Sequence, residues 1–117
     1  MSSQALASKS LIGIIRKASL ADAARIMVHK NIGALGVYSV DQHELLGVIT
    51  ERDITRAVAR GLDPTHTPVS EAMSHSPLLA EGAITRAEAA EVMRKGHVRN
   101  LIIKRDGSDR IVSIRDL

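Results

Sequence analysis

The chain has 117 residues, 44% of them hydrophobic and 25% charged, with no cysteine and one aromatic residue, Tyr38. The lack of cysteine excludes disulfides and thiolate metal sites, and the lack of rings argues against modules that stack bases on aromatic platforms. A net charge of +3 with no run of five like charges attracts phosphate-bearing partners weakly and marks no nucleic-acid tail.

The length suits one compact domain or two small modules. Folding should bury roughly two-thirds of the unfolded surface, enough to stand without staples. No apolar run reaches membrane-spanning length, and the opening MSSQALASKS lacks the apolar stretch of a secretory signal. The expectation is a soluble cytoplasmic protein with an aliphatic core, partnered by neither nucleic acid nor membrane.

Taken in order, Ile14 and Ile15 read as a short strand. Ser19 to Lys30 then carries Leu20, Ala23, Ala24, Met27 and Val28 at the spacing of an amphipathic helix. A small polar turn leads to the apolar run Ala34 to Tyr38, and DQHE (Asp41 to Glu44) reads as the turn of a hairpin. The returning strand enters GVITERDI, Gly47 to Ile54, and a helix follows through Ile54 to Arg60. Pro64, Pro68 and Pro77 all fall in the next window, so residues 64–77 read as a connector. A short helix from Val69 to Met73 fits inside it, with Pro68 at its first position.

The order then repeats. Ile84 to Lys95 is the second amphipathic helix, with Ile84, Ala87, Ala90 and Met93 on one face and Val92 off it. Leu101 to Ile103 is the strand, RDGSDR the hairpin turn, and RIVSIRDL (Arg110 to Leu117) the counterpart of GVITERDI. Met93 follows Met27 by 66 positions and Asp116 follows Asp53 by 63, so the second hairpin loop is three residues shorter. Each half reads strand, helix, strand, strand, helix, and neither can bury its sheet alone. The divisions are residues 1–63, the connector 64–77, and 78–117, the last lacking its final helix. A helix around Gln4 to Ser8 fills the missing place, or the chain is cut from a longer one.

In each half a hydroxyl stands three residues before a carboxylate at a strand-to-helix junction: Thr50 with Asp53, Ser113 with Asp116. One chemistry for this spacing is a capping box, worth about 1 kcal/mol with no ligand present. The other is nucleotide binding, with phosphate at the unpaired amides and positive dipole end of the helix and the carboxylate on a ribose. Arg52, Arg56 and Arg60 share one helix face, which reads as a solvated stripe except that Arg52 and its counterpart Arg115 stand near the phosphate end. The histidines, His29, His43, His66, His75 and His97, show no metal-ligand spacing, and no GxSxG elbow points to nucleophilic catalysis.

These residues resemble the tandem cystathionine-β-synthase (CBS) domain pair, or Bateman module, over roughly Leu11 to Leu117. The resemblance rests on LADAARIM, IGALGV and GVITERDI in the first half and on AEAAEVM, HVRNLII and IVSIRDL in the second, joined by VSEAMSHSP. It implies an α/β (α+β) fold of two pseudo-symmetric β-α-β-β-α repeats packed sheet to sheet. It also implies a non-catalytic regulatory module that binds an adenosine-containing ligand in the cleft between repeats. AMP stands first, with ATP, NAD(H) and S-adenosylmethionine as alternatives. No cofactor is required. A homodimer and a regulated protein are the implied partners.

Carried over by position, the resemblance assigns ribose to Asp53 and Asp116, phosphate to Thr50 and Ser113, and the neighbourhood of adenine to Val48 and Ile111. Ile49, Val112, Arg52 and Arg115 belong to the same stretches. Ile14, Arg16, Lys17, Ala34, Leu35, Gly36 and Arg99 are looser candidates. Two departures stand out: Arg110 replaces the motif's glycine, and Gly36 and Ile102 replace its usual proline. The alternative remains a ligand-free dimerisation or protein-interaction module in which both motifs are helix caps.

Overall fold

The computed structural model describes residues 8–75, 79–114 and 117. In chain order its elements are β1 (Lys9–Ser10), β2 (Gly13–Ile15), α1 (Leu20–Lys30), β3 (Ala34–Tyr38), β4 (Leu45–Thr50), α2 (Glu51–Ala59), a 3-10 turn (Val69–Glu71), β5 (Leu79–Glu81), α3 (Arg86–Gly96), β6 (Asn100–Arg105) and β7 (Ser108–Ser113). The chain divides into two compact units, Ile12–Ser76 and the combination of Met1–Leu11 with Pro77–Leu117.

In the unit Ile12–Ser76 a three-stranded sheet runs β2-β3-β4, with β2 parallel to β3 and β3 antiparallel to β4. α1 starts where expected because Ser19 accepts the Asp22 amide at 3.0 Å while Asp22 accepts the Ser19 amide at 3.2 Å. Asn31 ends it in the left-handed conformation. Leu20, Ala23 and Met27 meet Ile14, Leu35, Val37 and Ile49 in the core. Each large aliphatic side chain buried there stabilises the fold by about 1.5–3 kcal/mol. Val28, expected on this face, is instead 83% exposed. It follows Met27 by one residue, a turn of about 100°, which carries it past the edge of the buried stripe.

The proline-rich segment packs into this same unit. Thr67 and Pro64 carbonyls accept the Leu20 and Ala21 amides, each at 2.9 Å, and Val69, wholly buried, joins the core. The expected helix from Val69 to Met73 is only the single 3-10 turn, and Pro68 stands one place outside it at the cap.

In the other unit β5 lies parallel to β6, β6 antiparallel to β7, and β1 pairs antiparallel with β7, giving the order β1-β7-β6-β5. Thr85 and Glu88 form the capping box of α3. Its buried face is Ala89 and Met93, with Val92 packed against the core, while Ala87 and Ala90 are exposed, so the expected face is displaced. The RDGSDR hairpin is tighter than expected. β6 runs to Arg105 and β7 begins at Ser108, leaving Asp106 and Gly107 as a two-residue turn with φ of 51° and 76°. Positive φ at both positions is the type I′ geometry that matches strand twist.

Leu101, Ile103, Val112, Met93 and Ala89 fill this core in the places that Leu35, Val37, Ile49, Met27 and Ala23 fill in the first. The repeat is therefore structural as well as sequential. The fold is mixed α+β, built on two β-α-β-β units. Of the expected N-terminal helix, Ser8 is not helical and residues 4–7 lie outside the described residues. Among the described residues no helix is long and apolar enough to cross a membrane.

Candidate functional site

The stretch Gly47 to Asp53 carries the end of β4 into α2. Side chains alternate along a strand, so Ile49 points into the helix-side core while Val48 and Thr50 lie on the opposite face. Their β3 partners, Gly36 and Ala34, share that face. The same alternation divides the candidates: Ile14, Leu35, Ile49 and Val112 are core residues of their units. Val48, Ala34, Gly36 and Thr50 come together around the start of α2.

Thr50 is the N-cap of α2. Its amide donates to Asp53 Oδ2 at 2.8 Å and its hydroxyl to the same oxygen at 3.0 Å. The Asp53 amide donates back to Thr50 Oγ1 at 3.2 Å, and the Glu51 amide donates to the Gly33 carbonyl at 3.0 Å. The expected row of unpaired amides is thus reduced: of the first three helical amides, at most that of Arg52 is left. Asp53 is half-buried, and among the described residues its Oδ1 has no hydrogen-bond partner. A carboxylate oxygen is therefore presented from a side chain held at its other oxygen by two hydrogen bonds.

Gly47 is required by the chain itself. Val48 exchanges backbone hydrogen bonds with Ser74 at 3.1 and 2.8 Å, and a Cβ on Gly47 would stand 2.2 Å from the Ser74 carbonyl oxygen. No side chain fits there. At the equivalent place Arg110 pairs with Ser10 of β1, and its guanidinium donates to the Ser8 hydroxyl at 2.6 Å and to the Ser8 carbonyl. Sequence reading missed both the role of Ser74 and the strand Lys9–Ser10.

In the second motif Ile111 lies between Ile102 and Lys9, and Ser113 pairs with Asn100. The Ile114 amide donates to the Arg99 carbonyl at 2.8 Å, the counterpart of the Glu51 bond to Gly33. Arg99 is thus brought to the second motif. Arg115 and Asp116 lie outside the described residues. Arg16 and Lys17 stand at the other end of the first sheet: the Arg16 amide bonds to the Tyr38 carbonyl, whereas Thr50 pairs with Ala34. Four residues of β3 separate these ends, about 13 Å. Arg52, Arg56 and Arg60 are all exposed, as is His66, which pairs with Asp63 at 2.7 Å. Among the described residues no group of three or more histidine, aspartate or glutamate side chains could hold a metal ion.

The family model of the CBS domain matches residues 5–60. The chain is 35% identical over 101 residues to the CBS domain-containing protein YhcV of Bacillus subtilis (strain 168), covering 85% of this chain and 70% of that protein. It is 34% identical over 98 residues to the CBS domain-containing protein CBSCBSPB2 of Arabidopsis thaliana, covering 82% of this chain but 18% of that much longer relative. Among solved structures, a CBS domain protein from Pyrobaculum aerophilum complexed with AMP superimposes with a TM-score of 0.81 and 26% identity, covering 93% of this chain and 84% of the other. The doubled β-α-β-β unit, the hydroxyl-x-x-Asp junction and these likenesses agree: the chain belongs to the CBS-domain family, whose domains are non-catalytic regulatory modules.

Proposed function

We propose that the chain is a cytoplasmic sensor that binds an adenosine-containing nucleotide at Thr50 and Asp53, AMP foremost among AMP, ATP, NAD(H) and S-adenosylmethionine. The observation that carries this reading is Asp53 Oδ1, which has no hydrogen-bond partner among the described residues and is fixed in direction by the capping box. A carboxylate oxygen held this way accepts a ribose hydroxyl without first losing rotamer freedom, which lowers the entropic cost of binding. Val48, Ala34 and Gly36, all three buried, lie on the same sheet face as Thr50 and form the apolar side of the site on this reading. The AMP-bound Pyrobaculum aerophilum protein supports AMP as the first ligand to test. The nucleotide acts here as a signal, not as a cofactor for chemistry. The regulated target is a protein or domain whose affinity changes on binding, and the working form is a homodimer.

The test is a thermal-shift screen against AMP, ADP, ATP, S-adenosylmethionine, NAD and NADH. A ligand at a hundred times its dissociation constant stabilises the fold by about 2.7 kcal/mol. A rise with one or two of these ligands supports the sensor. A second reading has its own observation: the capping box at Thr50 is complete without a ligand. On that reading the chain is a dimerisation or protein-interaction module, and none of the six compounds raises the melting temperature.

A further inference from the structure

The two motifs share one backbone bond but not one charge. In the first, the Glu51 amide donates to the Gly33 carbonyl at 3.0 Å; in the second, the Ile114 amide donates to the Arg99 carbonyl at 2.8 Å. Glu51 and Gly33 are therefore the structural counterparts of Ile114 and Arg99. The glycine leaves room that the glutamate fills, since a Cβ at residue 33 would come within 2.8 Å of Glu51 Oε1. A carboxylate thus lies folded over the entrance of α2 in the first motif. The second motif has an apolar side chain in its place and an added arginine beside it.

The rest of the first turn deepens the contrast. The Thr50 hydroxyl is already donated to Asp53, the Glu51 and Asp53 amides are taken, and Arg52 is exposed to solvent. A phosphate chain at this helix end meets two carboxylates, Glu51 and Asp53, against one solvent-exposed cation, Arg52, and few neutral donors. Each further phosphate adds negative charge next to Glu51, whereas ribose and adenine feel little of that field.

We propose that Glu51, seated over Gly33, is the specificity-determining residue of the first motif. It admits adenosine compounds with one phosphate or none and rejects polyphosphates. This rests on the nucleotide reading given above. Its test isolates the first motif in the full chain with Asp116→Ala and titrates adenosine, AMP and ATP calorimetrically, with and without Glu51→Gln. AMP should bind more tightly than ATP to the parent, and Glu51→Gln should raise ATP affinity about five-fold, the scale of one exposed charge at close range. Raising the salt should compress the AMP-to-ATP ratio in the parent more than in Glu51→Gln, because the discrimination is Coulombic. Glu51 is exposed, so the variant is expected to fold. A ratio that Glu51→Gln leaves unchanged, with AMP still bound, overturns the charge filter alone. No binding of any of the three compounds to either protein overturns the nucleotide reading and this inference together.

Discussion

The two repeats place equivalent side chains in equivalent cores, yet they solve one problem at the motif strand in opposite ways. The outer edge of β4 receives the returning chain at Ser74, so closely that only glycine fits at residue 47. The outer edge of β7 receives β1 in regular antiparallel register, with room for an arginine at the matching position that reaches to Ser8. A glycine in such a motif can thus be demanded by the neighbouring backbone before any ligand is considered. The arginine at residue 110 is a structural exchange in kind: close approach is replaced by a side-chain clasp.

Cores that correspond should respond alike. Leu35→Ala and Leu101→Ala each delete a wholly buried side chain and should each lower stability by about 3 kcal/mol, read as denaturant midpoints. If one is much the milder, the repeats are not energetically equivalent. Motifs that differ should respond differently. Gly47→Ala drives a Cβ into a backbone carbonyl and should cost about 2 kcal/mol, with faster hydrogen exchange at Val48 and Ser74. Arg110→Ala removes the clasp on Ser8 and should cost about 1 kcal/mol, with loss of protection confined to β1. Equal losses from these two variants would erase the proposed contrast between the strand edges.

The smallest effects lie at the helix caps. The Ser19 amide holds the Asp22 carboxyl below its ordinary value of 3.8, with help from the Arg25 guanidinium, and the Thr85 amide holds Glu88 below 4.5. A depressed carboxyl contributes stability that is present above its unfolded value and is lost as pH falls through the folded one. Unfolding curves should therefore weaken as pH falls below about 4.5, and Asp22→Asn with Glu88→Gln, which removes the titrating groups, should flatten that acid limb.

Much of this was legible because it depends on local chemistry. Ser19, Thr50 and Thr85 announce helix starts through short side chains that reach an amide three residues on. Leu20, Met27 and Met93 mark buried faces because large apolar groups have few other places to go. Alanine carries less information: Ala87 and Ala90 suit an exposed helix as well as a buried one, so the face of α3 was misplaced around them. The contacts of Ser74 with Gly47 and of Ser8 with Arg110 were not legible, because each joins segments far apart in sequence whose residue types promise nothing. Thr50 and Asp53 stand out as a pair in the sequence, and the structure closes them into the capping box, while the nucleotide reading of the pair stays a proposal. The box is closed on Oδ2, and Oδ1 remains to be used.

That remaining oxygen is the point to test first. The most direct measurement compares the AMP-induced rise in melting temperature of the parent with that of Asp53→Ala. Because the variant also loses its cap, the quantity read is the shift on adding AMP and not the starting temperature. A clear rise in the parent that disappears in a folded Asp53→Ala is the predicted result. The same rise in both proteins would contradict the assignment of Asp53 to the ribose and leave it a helix cap.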